Sequence, residues 1–286
     1  MNIHSDTKIG AVYLTVSDFG RSLPYYQHNI GLPLHRQEGR MAYLGAGGRD
    51  LLVLHELPAA THPRRTTGLY HFAILVPSRL ELARTLKNLI DTETHIDGAS
   101  DHLVSEALYL SDPDGNGIEI YRDRHRHEWP VLNGQIQMDT KQFDVESVLS
   151  ELHGRDLTRD YTWGGLHADT TIGHIHLHVS HLAEAEAFYT QVLGFDLIMR
   201  YGPSAAFVSA GGYHHHIGLN TWAGVGAPPP PPGSVGLDWY EILLPDEEAL
   251  AATAVRLQNA HIPTEQSENG LFLRDPAQNG IVLRIR

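Results

Sequence analysis

The stretch "LHVSHLAEAEAFYTQVLGFDL", residues 177–197, lies without a gap over "LTVSDFGRSLPYYQHNIGLPL", residues 14–34. Tyr189 falls on Tyr26 and Gly194 on Gly31. Two further pairs keep nearly the same offset: "GLYHFAILVP" (68–77) with "GLDWYEILLP" (236–245), and "SDPDGNGIEIY" (111–121) with "RDPAQNGIVLR" (274–284). The chain is therefore a duplication, and internal self-similarity takes precedence over any local reading. Within 177–197, Leu182, Ala185, Phe188, Tyr189 and Val192 recur at helical spacing, and Gly194 is placed to end the helix. Leu82, Leu86, Leu89 and Ile90 recur in the same way within 80–90. "DPDGNG" and "AGG" supply turn chemistry between strands.

Each half divides again into a strand, an amphipathic helix and several strands. The result is four βαβββ modules, at 8–57, 68–124, 171–222 and 235–286. The N-terminal half spans 1–124, a connector 125–170 carries a helix near 144–152, and the C-terminal half spans 171–286. The "PPPPP" run (228–232) cannot sit inside a regular element and reads as an extended surface loop.

Composition narrows the class. With 286 residues, 42% hydrophobic and 19% charged, the chain has the profile of a globular protein with ample core. A net charge of −13 argues against nucleic-acid or membrane-surface partners. No apolar run approaches the ~18 residues of a membrane span, and "MNIHSDTKIG" has no signal core, so a cytoplasmic enzyme is the expectation. No cysteine is present, so any metal must use His and carboxylate ligands. Histidine is the anomaly, with 20 in all and seven between 174 and 216. Strand alternation puts His174, His176 and His178 of "GHIHLHVSH" (173–181) on one face, as one ligand among bystanders, a whole metal site or polar filler. In "GGYHHHIGLNTW" (211–222), a late strand would put His214 and His216 on one face and His215 on the other. His181 follows Ser180, a suitable N-cap, and should lie at the surface.

Paired βαβββ modules carrying "GHIHLHV", "AFYTQVLGF", "GLYHFAIL" and "DPDGNGIEIY" resemble the vicinal-oxygen-chelate (glyoxalase/extradiol dioxygenase) superfamily. Within it the chain is similar to the bacterial catechol-2,3-dioxygenases, over nearly its whole length and least in the connector. The resemblance implies an α+β fold of two cup-shaped mixed-sheet barrels. It also implies three metal ligands, which fall on His174, His71 and Glu119. Two histidines and a carboxylate with open positions suit Fe(II) oxygen chemistry, with Mn(II) conceivable. The further implied residues are His215 as acid/base, Tyr109 as a hydrogen-bond partner of substrate oxygen, and His102, whose spacing to Tyr109 is two residues shorter than the family's. The implied activity is extradiol cleavage, which uses O2 to open a catechol beside its diol and yields a 2-hydroxymuconic-semialdehyde-type product, as in aromatic hydrocarbon catabolism. A glyoxalase-like isomerase or lyase, and a non-enzymatic small-molecule-binding protein, are the rival readings. Symmetric assembly is the default, so a homo-oligomer is expected.

The repeat sharpens the fold. The counterparts of His174, His71 and Glu119 are Ala11, Trp239 and Val282, none of which binds a metal. Modules one and four are blank, and modules two and three hold the full set between them. A complete site requires module two to pair with module three, and module one with module four. His176 and His178 lie ~7 Å or more along the strand from His174, too far to share one ion with it. His176 suits a supporting place and His178 the cavity mouth. Trp239 and Val282 lead to the expectation that the blank cavity is simply filled.

Overall fold

The computed structural model describes residues 2–153 and 163–286. Two large curled sheets form the molecule. The eight-stranded sheet runs, in spatial order, Thr264–Ser267, Gly270–Arg274, Gly280–Ile285, Gly236–Leu244, Lys8–Val16, Arg49–Glu56, Met41–Ala46 and Leu34–Glu38. The nine-stranded sheet runs Lys141–Gln142, Gly98–Asp101, Ser105–Ser111, Gly117–Asp123, Gly68–Leu75, Thr171–His178, Ile217–Asn220, Ala205–Ser209 and Asp196–Tyr201. Modules one and four therefore build one sheet, and modules two and three the other, as the distribution of ligand residues requires.

The join is made each time by the opening strands of two modules. Lys8–Val16 pairs antiparallel with Gly236–Leu244, and Gly68–Leu75 with Thr171–His178. The joining strands in each cup are apolar on the side that meets the helices, while polar and aromatic side chains turn to the cup. Val12, Leu14, Phe72, Ile74, Ile175, Leu177, Tyr240 and Ile242 are all fully buried. Burying a side chain of this size contributes about 1.5–3 kcal/mol, so the junction is a continuous core.

Within each half, tandem modules are clamped by a different device. In the "DPDGNG" turn, Asp112 Oδ1 accepts from the backbone N–H groups of Asp114 and Asn116, while Tyr26 donates its hydroxyl to Oδ2 at 2.8 Å. In the counterpart turn, Asp275 Oδ1 accepts from Ala277 and Asn279, and Tyr189 donates to Oδ2 at 3.1 Å. This accounts for the coincidence of the two tyrosines in the repeat. Each reaches from the helical segment of one module to the last turn of the next, and both are fully buried.

The module helices start where their caps dictate. Asp18, Ser78 and Asp246 accept backbone N–H groups from Gly20, Glu81 and Ala249. The third module departs from expectation. Its helix Leu182–Ala187 is capped by His181 without a side-chain bond, and Ser180 instead donates to the carbonyl of Ala227. In modules one and three the helix widens into π-turns, Tyr25–Ile30 and Phe188–Val192, before Gly31 and Gly194 at φ 86° and 91°. A helical period assigns Ile90 to the buried face, but it is about half exposed near the end of Arg79–Asp91. The connector carries the helix Val145–Ser150, and 228–232 lies in the irregular segment between Ile217–Asn220 and Gly236–Leu244. No helix among the described residues is long and apolar enough to cross a membrane.

Candidate metal centre

Glu119 lies on Gly117–Asp123 between Ile118 and Ile120, both fully buried in the core, so alternation turns its carboxylate to the concave side of the nine-stranded sheet. His71 and His174 enter the same concavity from the two opening strands. All three are buried, and one ligating atom of each lies within 4.8 Å of the others. His71 Nε2 is 3.0 Å, and His174 Nε2 3.1 Å, from Glu119 Oε2. Two cis ligands each about 2.1 Å from a metal stand about 3.0 Å apart, so the observed spacings fit a shared ion. The triad is also incomplete without one. Among the described residues, buried His71 Nε2 has no partner in hydrogen-bonding geometry, although the Glu119 carboxylate is 3.0 Å away. Burial alone would raise the Glu119 pKa; the charge and hydrogen bond of His174, and contact with His71, bring it well below the ordinary carboxylate value. The carboxylate is thus held ionised, as a ligand must be.

Gly173, immediately before His174, is required by a close approach. A Cβ there would collide with the hydroxyl of Tyr121, whose ring packs 4.8 Å from that of His174. Tyr121 is in turn hydrogen-bonded to Tyr213 at 2.7 Å.

A cavity of about 240 Å³ opens over the triad, lined by His71, Glu119, Tyr109, His102, His176 and His215 among others. Five of the six singled-out residues line it; the sixth, His174, lies just behind, 3.1 Å from Glu119 Oε2 and with its ring 4.1 Å from that of His215. Tyr109 stands directly opposite Glu119 across the strand pair. Its hydroxyl is 2.7 Å from His102 Nε2, while His102 Nδ1 is 3.0 Å from the carbonyl of Asp139. A carbonyl only accepts, so Nδ1 carries the proton. In the neutral ring Nε2 is then the acceptor, and the tyrosine donates to it. Burial, then the nearby Glu119 charge, raises the Tyr109 pKa well above that of a free phenol and keeps the proton on it.

The histidine triplet differs from the strand expected for it. His214, His215 and His216 precede the strand Ile217–Asn220 in irregular chain, so alternation does not sort them. His214 and His215 are hydrogen-bonded to each other, Nδ1 to Nδ1 at 2.8 Å, rather than on opposite faces. His214 Nε2 lies 2.8 Å from Asp123 Oδ1. The carboxylate accepts, so His214 donates from Nε2; in the tautomer that leaves its Nδ1 bare, His215 donates from its own Nδ1 and keeps Nε2 as an acceptor. The His215 ring is 4.1 Å from that of His174. Burial, followed by the charges of His174, His214, His176 and His71, holds its pKa well below the ordinary imidazole value. His216 turns away and accepts at Nδ1 from the Ala210 amide, 2.9 Å from Ser209 Oγ.

Sequence reading missed Asp123 and the relay through His214. A signal existed: Asp123 is four residues past Glu119 on one strand, hence on its face. The aromatic mouth was also unforeseen. Tyr70 and Trp222, both exposed, meet edge-on at 5.1 Å and flank His176, which lines the cavity. His178 packs on Tyr70 at 5.2 Å and pairs with Asn220 behind it.

Two sheets of paired βαβββ modules, one of them closing on a buried His–Glu–His set that could hold a metal ion, define a two-cup architecture. The chain belongs to the Glyoxalase/Bleomycin resistance protein/Dioxygenase superfamily, whose model matches residues 8–120 and 171–283. It is 49% identical over 286 residues to catechol-2,3-dioxygenase of Bacillus subtilis (strain 168), with 98% of each chain covered. Among solved structures, one from Bacillus subtilis subsp. subtilis str. 168 superposes with a TM-score of 0.65 at 14% identity, covering 100% of this chain and 86% of that one. Glyoxalase I from Zea mays does so with a TM-score of 0.56 at 15% identity, over 97% and 92%. At these identities the likeness is one of fold.

Proposed function

We propose that the protein is an extradiol dioxygenase that uses O2 to cleave a catechol beside its diol, yielding a 2-hydroxymuconic-semialdehyde-type product, with Fe(II), or alternatively Mn(II), held by His71, His174 and Glu119. The carrying observation is the spacing of 3.0 and 3.1 Å around Glu119 Oε2, with His71 Nε2 lacking a hydrogen bond. The full-length relative named catechol-2,3-dioxygenase supports the same chemistry. A bound metal supplies Lewis acidity toward the diol and the redox path between ring and oxygen.

The chain's own residues handle protons and orientation. Both hydrogen-bond relays end on acceptors in the cavity. Asp139 O through His102 leaves the Tyr109 oxygen free to accept, and Asp123 through His214 leaves His215 Nε2 free. His215 takes a proton from a diol hydroxyl as a general base, and the resulting imidazolium returns it later as a general acid. Tyr109 accepts from the second hydroxyl and fixes the ring's orientation. The aromatic mouth restricts water.

The lining also restricts the substrate. Among the described residues no Lys or Arg lines the cavity, and Asp139 and Glu119 are its acids. A carboxylate substituent would be buried unpaired there. Drug-sized pockets run to about 300–1,000 Å³, and about 240 Å³ is smaller still. The site favours neutral, single-ring catechols with small apolar substituents against Phe207, Met199 and Trp222.

The test is oxygen uptake by protein reconstituted anaerobically with Fe(II), on addition of catechol, 4-methylcatechol or 3,4-dihydroxybenzoate. Stoichiometric uptake with a yellow ring-opened product from the first two is expected. Bound metal without uptake on any of them would move the protein to the non-redox branch of its superfamily.

A further inference from the structure

The cup of modules one and four is not filled, contrary to what Trp239 and Val282 suggest in sequence. It opens into a cavity of about 1390 Å³, several times the size of the cavity over the triad, which continues past the end of the cup to Asp123, Arg126, Trp129, Gly173 and His216 of the other sheet and the connector. Val282 is buried, while Trp239 and Tyr13 stay half-buried in the wall, stacked with ring centroids 3.4 Å apart at 18°. The charge of the lining opposes that of the molecule. The chain has 21 basic and 34 acidic residues, yet among the described residues eight basic and four acidic ones line this cavity.

The four acids are already engaged. Asp50 pairs with Arg36, Glu241 with Arg284 and the Ala11 amide, Asp238 accepts from Thr15, and Asp123 belongs to the His214 relay. Lys8, Arg49 and Arg286, by contrast, make no side-chain hydrogen bond or ion pair among the described residues, and all three are exposed. They gather at one end of the sheet. Lys8, Leu243 and Arg284 stand in register across three strands, Arg286 lies two residues beyond Arg284, and Arg49 opens the strand running parallel to Lys8–Val16. Along the wall, Arg36 lies over Tyr43 at 3.5 Å, in the same cross-strand row as Tyr13 and Trp239.

We propose that this cup is a second binding site, for a planar organic anion whose ring packs on the Tyr13–Trp239 face and whose carboxylate or phosphate meets Lys8, Arg49 and Arg286. A concave, positively charged wall in an acidic protein focuses its field on small anions. Guanidinium forks suit carboxylate and phosphate alike, and flat aromatic surface gives the ring its contact area. The groups proposed to hold the anion, Lys8, Arg49, Arg286, Tyr13 and Trp239, are all outside the metal triad and the His215 relay, although Asp123 and Gly173 line the far end of the same cavity.

The experiment is isothermal titration of the full chain with 2-naphthoate and with AMP, paired with quenching of tryptophan fluorescence. One equivalent of at least one probe should bind, more weakly as salt rises. R49E/R286E should weaken binding by about tenfold or more, as should W239L, while H215N leaves it unchanged. Binding of 2-naphthoate alone assigns a carboxylate ligand, and binding of AMP alone a phosphate ligand. Since Arg49 and Arg286 are exposed, their double variant should keep its circular dichroism and melting temperature. No binding of either probe at millimolar concentration overturns the proposal. So does binding that catechol displaces and H215N abolishes, or a change of assembly in R49E/R286E by light scattering with no effect on the probes.

Discussion

In the cup of modules two and three, His71, Glu119 and His174 meet across contacts of 3.0 and 3.1 Å. In the cup of modules one and four, the same positions hold Trp239, Val282 and Ala11, and the interior is organised differently. Glu241, two residues past Trp239, pairs with Arg284 at 2.9 Å and accepts from the Ala11 amide at 3.0 Å. Equivalent glycines accommodate the two solutions. At Gly173 a Cβ would strike the Tyr121 hydroxyl, and at Gly10 it would strike the Glu241 carboxylate at 2.5 Å. The strand framework is common to both cups, so the fold does not depend on the chelating set. One duplicated scaffold carries a buried His–Glu–His triad in one cup and an ion pair with an open, cationic cavity in the other.

That contrast is most exposed to test at equivalent positions. E119A should lose bound metal and lower ring cleavage by about 10³-fold or more, as read by metal analysis and oxygen uptake. V282A, its counterpart, should keep metal and turnover within about twofold while costing about 1–2 kcal/mol of stability in a denaturant titration. Equal losses of activity would erase the functional distinction between the cups. H215N should retain metal and lower kcat by about 10²–10³-fold. D123N, which removes the carboxylate that orients His214, should lower kcat by about 10–100-fold with little change in KM; an unaltered kcat would remove the relay from the reaction.

Smaller effects test the walls. His216 faces the larger cup, and burial, then Lys8 and the neighbouring histidines, depress its pKa from 6.5 to about 3. As pH falls through 6.5 the unfolded chain takes up this proton first, so stability is lost from there down to about pH 3, at up to about 1.4 kcal/mol per pH unit. H216Q should flatten that slope relative to the parent chain, measured as unfolding midpoints between pH 6.5 and 5. Y26F and Y189F, which remove matching donors to Asp112 and Asp275, should each cost about 1 kcal/mol. Unequal costs would mark one half as more dependent on its clamp.

Much of this was legible in residue order. Duplication at a nearly constant offset requires four similar modules, and the split of histidines and glutamate between modules two and three requires their sheets to join. His102 and Tyr109 were legible only as a spacing, yet they form a 2.7 Å hydrogen bond. The His214–His216 triplet was not legible, because alternation assumes a strand and the chain there turns before the strand begins. His181 took the cap position because the Ser180 hydroxyl found a carbonyl 47 residues away.

Periodicity and repeat offsets are properties of neighbours along the chain, and they were enough for the module plan; the three candidate ligands came from the family resemblance, and the repeat then turned them into a pairing of the cups. The remainder depends on residues far apart in sequence. Asp123 reaches His214 across 91 positions, and Ala11 reaches Glu241 across 230. Whether Trp239 fills a cavity or walls one depends on sheet curvature and on what Tyr13 does opposite it. A buried carboxylate finds its partner, and a cavity its charge, only once the two sheets have closed.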